Sequence, residues 1–445
     1  MTESRLAPWR LIAYAAPSLV TSVAALPMAL FVPAFYSDDL GVPLAAVGGA
    51  IAFSRLLDVV TDPLIGTLSD RLRLPLGRRK PWMLAGVPLF LFSLWQIFVP
   101  GEAASASHLL IWSALLYLGF TMIDLPHKAW GAELSTDYDE RSRITSWREA
   151  ISTAGQVFLL AALVVLSMQG IEGAAEQLRW IAWAVVFLLP ILIVFCLVSV
   201  SEQEPEGFRH ETRGIWAGLG LVARNPAFVR MVGAVLFFVS GVAIQGTLHR
   251  LVLSDVMMDE QRFPLMILLE NVGTLAAVPI WLKISTRIGK ARALLCAALW
   301  LALWSLPLVF LREGDTTALI VIVVLRGSSF ASILFLANSM AADVIDVDTL
   351  ESGEQRSGLF FAVWGMVIKL SLALGVVLGT TLPAGFGYEP SDTVITPEVQ
   401  GALMAIYGAI PAALMGVGAI FLRRFPITRE HHAAVRAELD ARQSG

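Results

Sequence analysis

The sequence predicts an all-α integral membrane protein of about twelve transmembrane helices, arranged in two bundles of about six helices each. Three observations predict this fold class. Of the 445 residues, 56% are hydrophobic and only 15% are charged, and the mean hydropathy is +0.71. Apolar runs of roughly 20 residues, long enough to cross a bilayer, recur along the whole chain between short polar stretches. A water-soluble core cannot bury this much apolar surface, so the composition excludes a soluble globular protein.

The expected spans follow from the apolar runs, with boundaries good to roughly four residues. They are 11–36, 44–69, 81–100, 107–131, 143–168, 178–200, 226–253, 262–286, 292–312, 317–341, 357–383 and 398–423. The first run is full-length, so we expect it to stay in the mature protein as a helix. The longest polar interruption separates the two predicted bundles. The predicted domains are residues 1–200, a central loop at 201–225, residues 226–423 and a tail at 424–445.

Basic residues predict the orientation of the helices. Five of them follow the second span: Arg71, Arg73, Arg78, Arg79 and Lys80. Others lie in the central loop and in the tail, whereas the loops of the opposite side carry few. Because cytoplasmic loops are enriched in Lys and Arg, both termini are expected on the cytoplasmic side.

The second span contains ionisable residues within the expected hydrocarbon region. Its sequence, FSRLLDVVTDPLIG, places Arg55, Asp58 and Asp62 at spacings of three and four, on one helical face. Two carboxylates one turn apart repel each other unless a cation neutralises them, which predicts a site for Na⁺ or Li⁺, or a proton-accepting site. The alternative is that Arg55 pairs with Asp58 as a structural bridge and Asp62 caps a break made by Pro63. Both interpretations can hold at once.

The fourth and fifth spans predict a binding region for a solute. Asp124 and Lys128 form an i,i+4 pair beside Pro126, which frees a backbone carbonyl, and Thr121 lies one turn earlier. This group is suited to hold the hydroxyls or the anionic group of a solute. The alternative is a salt bridge that neutralises itself within the helix. Arg148 lies a little more than one turn inside the fifth span.

Further charged residues are expected at membrane depth in the second half of the chain. Lys369 lies near the middle of the eleventh span without an acidic neighbour in its own helix, and the aspartates of the second span are its candidate partners. Glu270 and Arg326 are expected to form a buried pair that is either structural or in contact with substrate. The candidate cavity cations are Lys128, Arg148, Arg250, Arg326 and Lys369. The carboxylates expected in the same cavity are Asp58, Asp62, Asp124 and Glu270. With a bound cation the net charge of the cavity would be positive, which predicts an anionic solute.

Charged residues at the ends of spans predict a set of gating or structural salt bridges. Asp70, Arg78 and Arg79 surround a tight turn after the second span, Arg141 precedes the fifth, and Asp343 and Arg356 follow the tenth. Such groups can hold helix ends together. The alternative is a solvated charged loop that only fixes topology.

Three blocks of sequence resemble the glycoside–pentoside–hexuronide:cation symporters of the major facilitator superfamily, of the melibiose permease type. The blocks are RLLDVVTDPLIGTLSDRLRLPLGRRKPW, IDLPHKAWGAELSTDYDERSRITSWR and MAADVIDVDTLESGEQRSGLFFAVWGMVIKL. They lie in both halves of the chain and in the expected order. The resemblance implies the major facilitator fold.

The resemblance also implies roles for individual residues. Asp58 and Asp62 match the cation-binding carboxylates of the family, and Thr121 matches a hydroxyl that joins them. Asp124 matches a carboxylate that binds sugar hydroxyls, Arg148 an arginine near the sugar, and Lys369 a lysine near the cation site.

Two departures from the family pattern bear on the substrate. The aspartate that clamps sugar in the first helix is absent, its place falling near Ser22, and a tryptophan position of the fourth helix is Lys128. These changes remove an anion and add a cation, which agrees with the charge count and disfavours a neutral galactoside.

The resemblance implies a transport function and not an enzymatic activity. We expect secondary active symport of a small, anionic, sugar-like solute with Na⁺ or H⁺ by alternating access, with no cofactor. Movement of a lysophospholipid or another amphiphile is the alternative, because the same branch resembles lysophospholipid symporters. The expected partners are the solute and membrane lipid, without nucleic acid. The expected state is a monomer in a bacterial inner membrane.

Overall fold

A computed structural model of the chain describes residues 5–73, 75–101, 104–171, 173–202, 209–210, 220, 224–388 and 396–444. Most of the predicted central loop lies outside the described residues. The described part is almost entirely helical, as the composition predicts.

Among the residues described before the central loop there are eight α-helices. They are α1 (Pro8–Leu30), α2 (Val32–Ala34), α3 (Leu44–Leu56), α4 (Asp58–Arg71), α5 (Lys80–Phe98), α6 (Ala106–Glu133), α7 (Tyr138–Met168) and α8 (Ala174–Ser199), with a π-helical turn at Phe35–Asp39 after α2. The side chain of Ser105 accepts a hydrogen bond from His108 N at the start of α6, which is an N-cap typical of serine.

Eight further α-helices follow the central loop. They are α9 (Pro226–Leu251), α10 (Phe263–Ile288), α11 (Lys290–Ser305), α12 (Thr316–Gly327), α13 (Phe330–Ser352), α14 (Ser357–Gly385), α15 (Pro397–Leu422) and α16 (Arg429–Ser444). A π-helical turn at Val252–Val256 extends α9, and 3₁₀ turns lie at Glu260–Arg262 and Leu306–Phe310. Asn225 and Thr396 cap α9 and α15, because each side chain accepts a hydrogen bond from a backbone amide three residues later.

A short pair of strands and a helix in the tail were not expected from the sequence. Strand β1 (Arg209–His210) pairs in parallel with β2 (Glu354–Gln355), each of two residues. The predicted tail at 424–445 contains the helix α16.

Most of the expected membrane spans are confirmed, and the expected span at 317–341 comprises α12 and α13. Eleven helices of the described residues are long and apolar enough to cross a membrane. The expected span at 44–69 is instead made of α3 and α4, which are interrupted at Leu57. This prediction of one continuous helix was wrong, as was the alternative in which Asp62 caps a break made by Pro63. Pro63 lies inside α4, and its missing N–H weakens the turn just after the interruption.

Contacts among the helices divide the chain into two compact units. Unit 1 comprises Met1–Val222, Ile345–Met366 and Val435–Gly445, and unit 2 comprises Ala223–Val344 and Val367–Ala434. This division departs from the predicted domain boundaries, since the end of α13 and the start of α14 fall in unit 1. Ion pairs described below hold these two helix ends to unit 1.

Each unit has its own apolar core. In unit 1, α1 packs on α7 and α8, and α6 packs on α3, α4 and α5. Its buried side chains include Leu94, Leu116 and Trp130. In unit 2, α15 packs on α9 and α11, and α12 packs on α10 and α11. Its core includes Leu248 and Met404.

Candidate functional site

The predicted cation pair lies buried in unit 1. Asp58 is the first residue of α4 and Asp62 lies one turn later, and both are almost inaccessible to solvent. Thr121 of α6 donates its hydroxyl to Asp62 Oδ1 over 2.8 Å. Asp58 begins α4 directly after Leu57, the single residue that separates α4 from α3. A hydroxyl and carboxylate oxygens are ligands that a hard cation prefers.

Arg55 contacts an aromatic ring of α6. Its guanidinium carbon lies 4.0 Å from the centre of the Tyr117 ring, in a cation–π contact, and the residue is exposed. The pairing of Arg55 with Asp58 stays a prediction.

A charged cluster in unit 1 combines four side chains of α6 and α7: Asp124, Lys128, Arg148 and Glu149. Asp124 holds two cations at once, with Arg148 Nη2 at 2.5 Å and Lys128 Nζ at 2.7 Å. Arg148 also contacts Glu149 through Nη1 at 2.9 Å. The intrahelical pair predicted for Asp124 and Lys128 is therefore present, but it is part of a larger arrangement.

The charged cluster is neutral overall but keeps groups that can bind a further partner. Its formal charges cancel, two against two, and the Lys128 side chain is 22% exposed. Arg148 Nε is buried and donates to no acceptor among the described residues. A buried donor without an acceptor costs free energy, so an incoming oxygen atom would be favourable there.

Ser22 lies against the same helix as Arg148. Its hydroxyl donates to Ser152 O over 2.8 Å and to Leu19 O over 2.9 Å, which ties α1 to α7. Both acceptors are backbone carbonyls. The side chain at this position therefore serves helix packing and does not present an anion to the charged cluster.

The turn after α4 forms a buried ionic group in unit 1. Arg79 Nη2 contacts Asp70 at 2.6 Å and Glu133 at 2.7 Å, and Arg78 contacts Glu133 at 2.8 Å. Burial acts to lower the pKa of the Arg79 guanidinium, but the carboxylates of Glu133 and Asp70 outweigh it and raise that pKa above its ordinary value. The guanidinium therefore stays charged. Gly77, at φ +109°, permits the turn.

Asp70 also binds the start of α14. Its carboxylate accepts hydrogen bonds from Gly358 N at 2.9 Å and Leu359 N at 3.1 Å, an N-cap made from another helix. Gly66 and Gly358 allow the close approach, because a Cβ on either glycine would lie within 2.7 Å of the other's carbonyl oxygen. Asp70 thus fixes the end of α14 to α4.

The remaining predicted salt-bridge residues are all paired. Arg141 contacts Asp346 at 2.6 Å, and Arg356 contacts Asp348 at 3.0 Å, both within unit 1. In unit 2, Asp343 is bound by Lys290 at 2.6 Å. The geometry is that of structural bridges, and the gating role stays a prediction.

A second buried network lies in unit 2 and is called here the His249 network. It consists of Gln245, His249, Glu270, Arg326 and Tyr407. Arg326 Nη2 contacts Glu270 at 2.6 Å and His249 Nε2 at 3.1 Å, and Nη1 donates to Gln245. The expected pair of Glu270 and Arg326 is therefore present.

Two other predicted cavity cations differ from each other. Arg250 was expected to face the cavity, but its side chain is 70% exposed and contacts the exposed Glu260 at 2.7 Å. That expectation was wrong: successive residues of an α-helix point about 100° apart, so Arg250 lies outside the buried helix face that carries His249. Lys369 lies half-buried in α14, and its predicted contact with the aspartates stays a prediction.

Sequence reasoning missed several participants. Glu133 joins Arg78 and Arg79, Glu149 completes the charged cluster, and Gln245 and Tyr407 complete the His249 network. The signal for Glu133 was an acid at the end of the fourth span, on the same side as the basic turn. Gln245 and Tyr407 gave no comparable signal, because neutral side chains are common in membrane helices.

Comparisons with known proteins agree with this architecture. The model of a family described as MFS/sugar transport protein matches residues 13–429. An uncharacterized symporter of Synechocystis is 27% identical, covering 97% of this chain and 96% of that protein. A glucuronide carrier protein homolog of Escherichia coli is 23% identical, covering 98% and 96%. A sodium-dependent lysophosphatidylcholine symporter of Xenopus tropicalis is 24% identical, covering 93% and 86%.

The fold matches solved structures as well. The crystal structure of a fucose:proton symporter of E. coli aligns with a TM-score of 0.68 at 14% identity, over 94% of this chain and 98% of that one. Identity this low supports the twelve-helix fold and not the substrate.

Proposed function

Since the chain belongs to the MFS/sugar transport protein family, a family of membrane transporters, we propose that it couples the movement of a small, anionic, sugar-like solute to Na⁺ or H⁺. The expected resemblance to the glycoside–pentoside–hexuronide:cation symporters is confirmed. The solute, the coupling ion and the residue roles form the proposal.

One observation carries the proposal: α6 joins the cation pair to the charged cluster. Thr121, which binds Asp62, and Asp124, which binds Arg148 and Lys128, lie three residues apart on α6. Residues at this spacing are neighbours on one helix face. A cation bound by Asp62 and Thr121 therefore acts on the same turn that holds the charged cluster, which is what coupling requires.

The charged cluster supports an anionic solute. Asp124 is shared by two cations, so either one can turn to a solute carboxylate or sulfonate while the other stays paired. Lys128 is the more exposed of the two, and Arg148 has a spare buried Nε–H. Arginine suits planar, bidentate recognition of such groups. The hydroxyl of Ser22, engaged by carbonyls of α1 and α7, supplies no carboxylate for the hydroxyls of a neutral sugar.

The proposed mechanism is alternating access. The cation neutralises Asp58 and Asp62 and favours the conformation that binds solute, and solute binding in turn favours cation binding. Release of both partners on the other side completes the cycle. We propose a monomer in the inner membrane of a bacterium, with both termini cytoplasmic.

The test is a binding screen of the purified full-length protein. Thermal stability is measured with lactose, glucuronate, a sulfonated hexose and lysophosphatidylcholine, each with and without Na⁺ and at two pH values. We expect glucuronate or the sulfonated hexose to stabilise the protein, by about 2.7 kcal/mol at 100 times the dissociation constant. Stabilisation by lactose alone would contradict the anionic solute. Affinities that ignore both Na⁺ and pH would contradict coupling.

A second candidate is supported by one specific comparison. A relative covering nearly the whole chain is named as a sodium-dependent lysophosphatidylcholine symporter. Lysophosphatidylcholine carries both charges, which the balanced charged cluster also offers. Stabilisation by lysophosphatidylcholine and not by glucuronate would favour this candidate.

A further inference from the structure

His249 is a buried histidine within reach of both an acid and a base. The residue is 3% exposed, near the end of α9 and just before the π-helical turn at Val252–Val256. Such turns occur often at functional sites. Around the imidazole stand Glu270 of α10, Arg326 of α12 and Tyr407 of α15.

The contacts determine which nitrogen of His249 carries the proton. Arginine has only N–H donors, so the 3.1 Å contact from Arg326 Nη2 requires His249 Nε2 to accept. The proton then lies on Nδ1, which donates to Tyr407 Oη over 2.5 Å. This arrangement requires a neutral ring with the Nδ1–H tautomer.

A second proton cannot enter this arrangement without a change of partners. An Nε2–H would point at the guanidinium, so two donors and two positive charges would face each other. An acceptor close to Nε2 is Glu270 Oε2, at 3.6 Å. Glu270 already holds Arg326 through its other oxygen, Oε1, at 2.6 Å. The carboxylate can therefore hold both cations, one on each oxygen, once Arg326 Nη2 leaves the imidazole nitrogen and Oε2 moves closer to it.

We propose that His249 is a proton-binding site in unit 2, where protonation breaks the Arg326–His249 contact and draws Glu270 Oε2 to the imidazolium. The coupling of this step to solute movement rests on the proposed symport, whereas proton binding itself does not. One proton is taken up on Nε2, and no covalent bond other than N–H forms or breaks. Arg326, which loses its imidazole acceptor, can then turn an N–H to an anionic group.

Two features distinguish this network from a purely structural bridge. Arg326 Nε is buried and donates to no acceptor among the described residues, so the arginine keeps a spare donor for another partner. Glu270 is also more exposed than Arg326, 19% against 3% for their side chains. The Glu270 carboxylate is therefore less tightly enclosed than the guanidinium and can move toward His249 Nε2. Gln245 fixes the other edge of the guanidinium and donates to Ser305 and to Tyr407 O.

The experiment is a histidine titration by NMR of the full-length protein in lipid nanodiscs. With ¹⁵N-labelled histidine, ring nitrogen shifts separate the two neutral tautomers from the imidazolium. The signal of His249 is assigned by its loss in His249→Asn. We expect the Nδ1–H tautomer at high pH and a single protonation step as the pH falls from 9 to 5.

Two variants test the roles of Arg326 and Glu270 by the sign of their effect on the pH midpoint of His249. Arg326→Gln removes the neighbouring cation and should raise this midpoint by more than about one unit. Glu270→Gln removes the acceptor of the imidazolium and should lower it by a similar amount. Arg250→Gln is the matched control, since it removes an exposed cation one residue away and should leave the midpoint unchanged.

The outcomes are decisive without a transport assay. A ring that stays neutral in both the unchanged protein and Arg326→Gln overturns the proposal, as does an Nε2–H tautomer at high pH. Shifts of the same sign in both variants also overturn it. If Glu270→Gln folds too poorly for spectra, Arg326→Gln decides alone. Because no solute is present, failure here leaves the glucuronate screen valid, and failure of that screen leaves this titration valid.

Discussion

The charged cluster of unit 1 and the His249 network of unit 2 use similar side chains but hold them differently. In the charged cluster, one carboxylate serves two cations and a second carboxylate serves one of them. In the His249 network, one arginine is bound by an acid, an imidazole and an amide, and its side chain is only 3% exposed. Arg148 can therefore lose one carboxylate and keep the other. If Arg326 lost Glu270, the described partners that remain would be a neutral imidazole and an amide.

This difference bears on how each group can act. A group with exchangeable partners suits recognition of an anion, because the solute replaces a contact that is already duplicated. A group with an acid beside a neutral imidazole suits a charge switch, because one proton gives the acid a second cation to hold. We therefore place recognition in the charged cluster and proton binding in the His249 network.

The largest expected effect compares loss of the carboxylate in each group. Glu270→Gln leaves the buried Arg326 with neutral partners only, so we expect the free energy of unfolding to fall by about 3–5 kcal/mol. Asp124→Asn leaves Arg148 paired with Glu149 and Lys128 partly exposed, so a fall of less than about 2 kcal/mol is expected. Denaturation of both variants in the same detergent measures the difference, and equal losses would remove the distinction.

The next effect concerns recognition by Arg148. Arg148→Lys keeps the charge but replaces the planar fork of the guanidinium, whose nitrogens point at Asp124 and Glu149 separately, with a single ammonium nitrogen. We expect the affinity for glucuronate to fall by about 10–100-fold, as for the loss of a hydrogen bond to a charged group. Titration calorimetry measures the change. The matched control is Arg143→Lys in the same helix, since Arg143 contacts Glu140 and a backbone carbonyl outside the charged cluster. Equal losses in both variants would argue against a specific role.

A comparable or smaller effect concerns coupling through Asp62. Asp62→Asn removes one charge from the cation pair, so the cation should no longer raise the affinity for glucuronate. Coupling of this kind is typically worth about 5–150-fold in affinity. The measurement is the dissociation constant with and without saturating Na⁺ at two pH values. A variant that still concentrates solute in proteoliposomes would remove Asp62 from the coupling role.

The smallest effect concerns the hydroxyl that joins α6 to the cation pair. Thr121→Val deletes the 2.8 Å hydrogen bond to Asp62 and keeps the side-chain shape. We expect about 0.5–1.5 kcal/mol, hence about a 2–10-fold loss of cation affinity. Thr121→Ser should retain most of it. If both variants bind the cation as the unchanged protein does, Thr121 is not a ligand.

Local features of the chain were readable from the sequence because they depend on short windows. The expected spans agree with eleven helical segments of the described residues within a few residues at most ends. The interruption at Leu57 follows no apolar pattern, since Leu57 is itself apolar. Ion pairs close in sequence, such as Asp124 with Lys128, were also predictable from helical spacing.

By itself, the sequence determined the membrane-spanning, all-helical class and the chemical types available at membrane depth, because hydropathy and charge are properties of each segment. Only the tertiary structure decided which charges meet. Arg148 joins Asp124 across 24 positions, and Arg326 reaches His249 across 77. Helix packing fixes such pairs, and no local pattern encodes that packing. The same limit explains why Arg250 and His249, adjacent in sequence, lie in opposite environments.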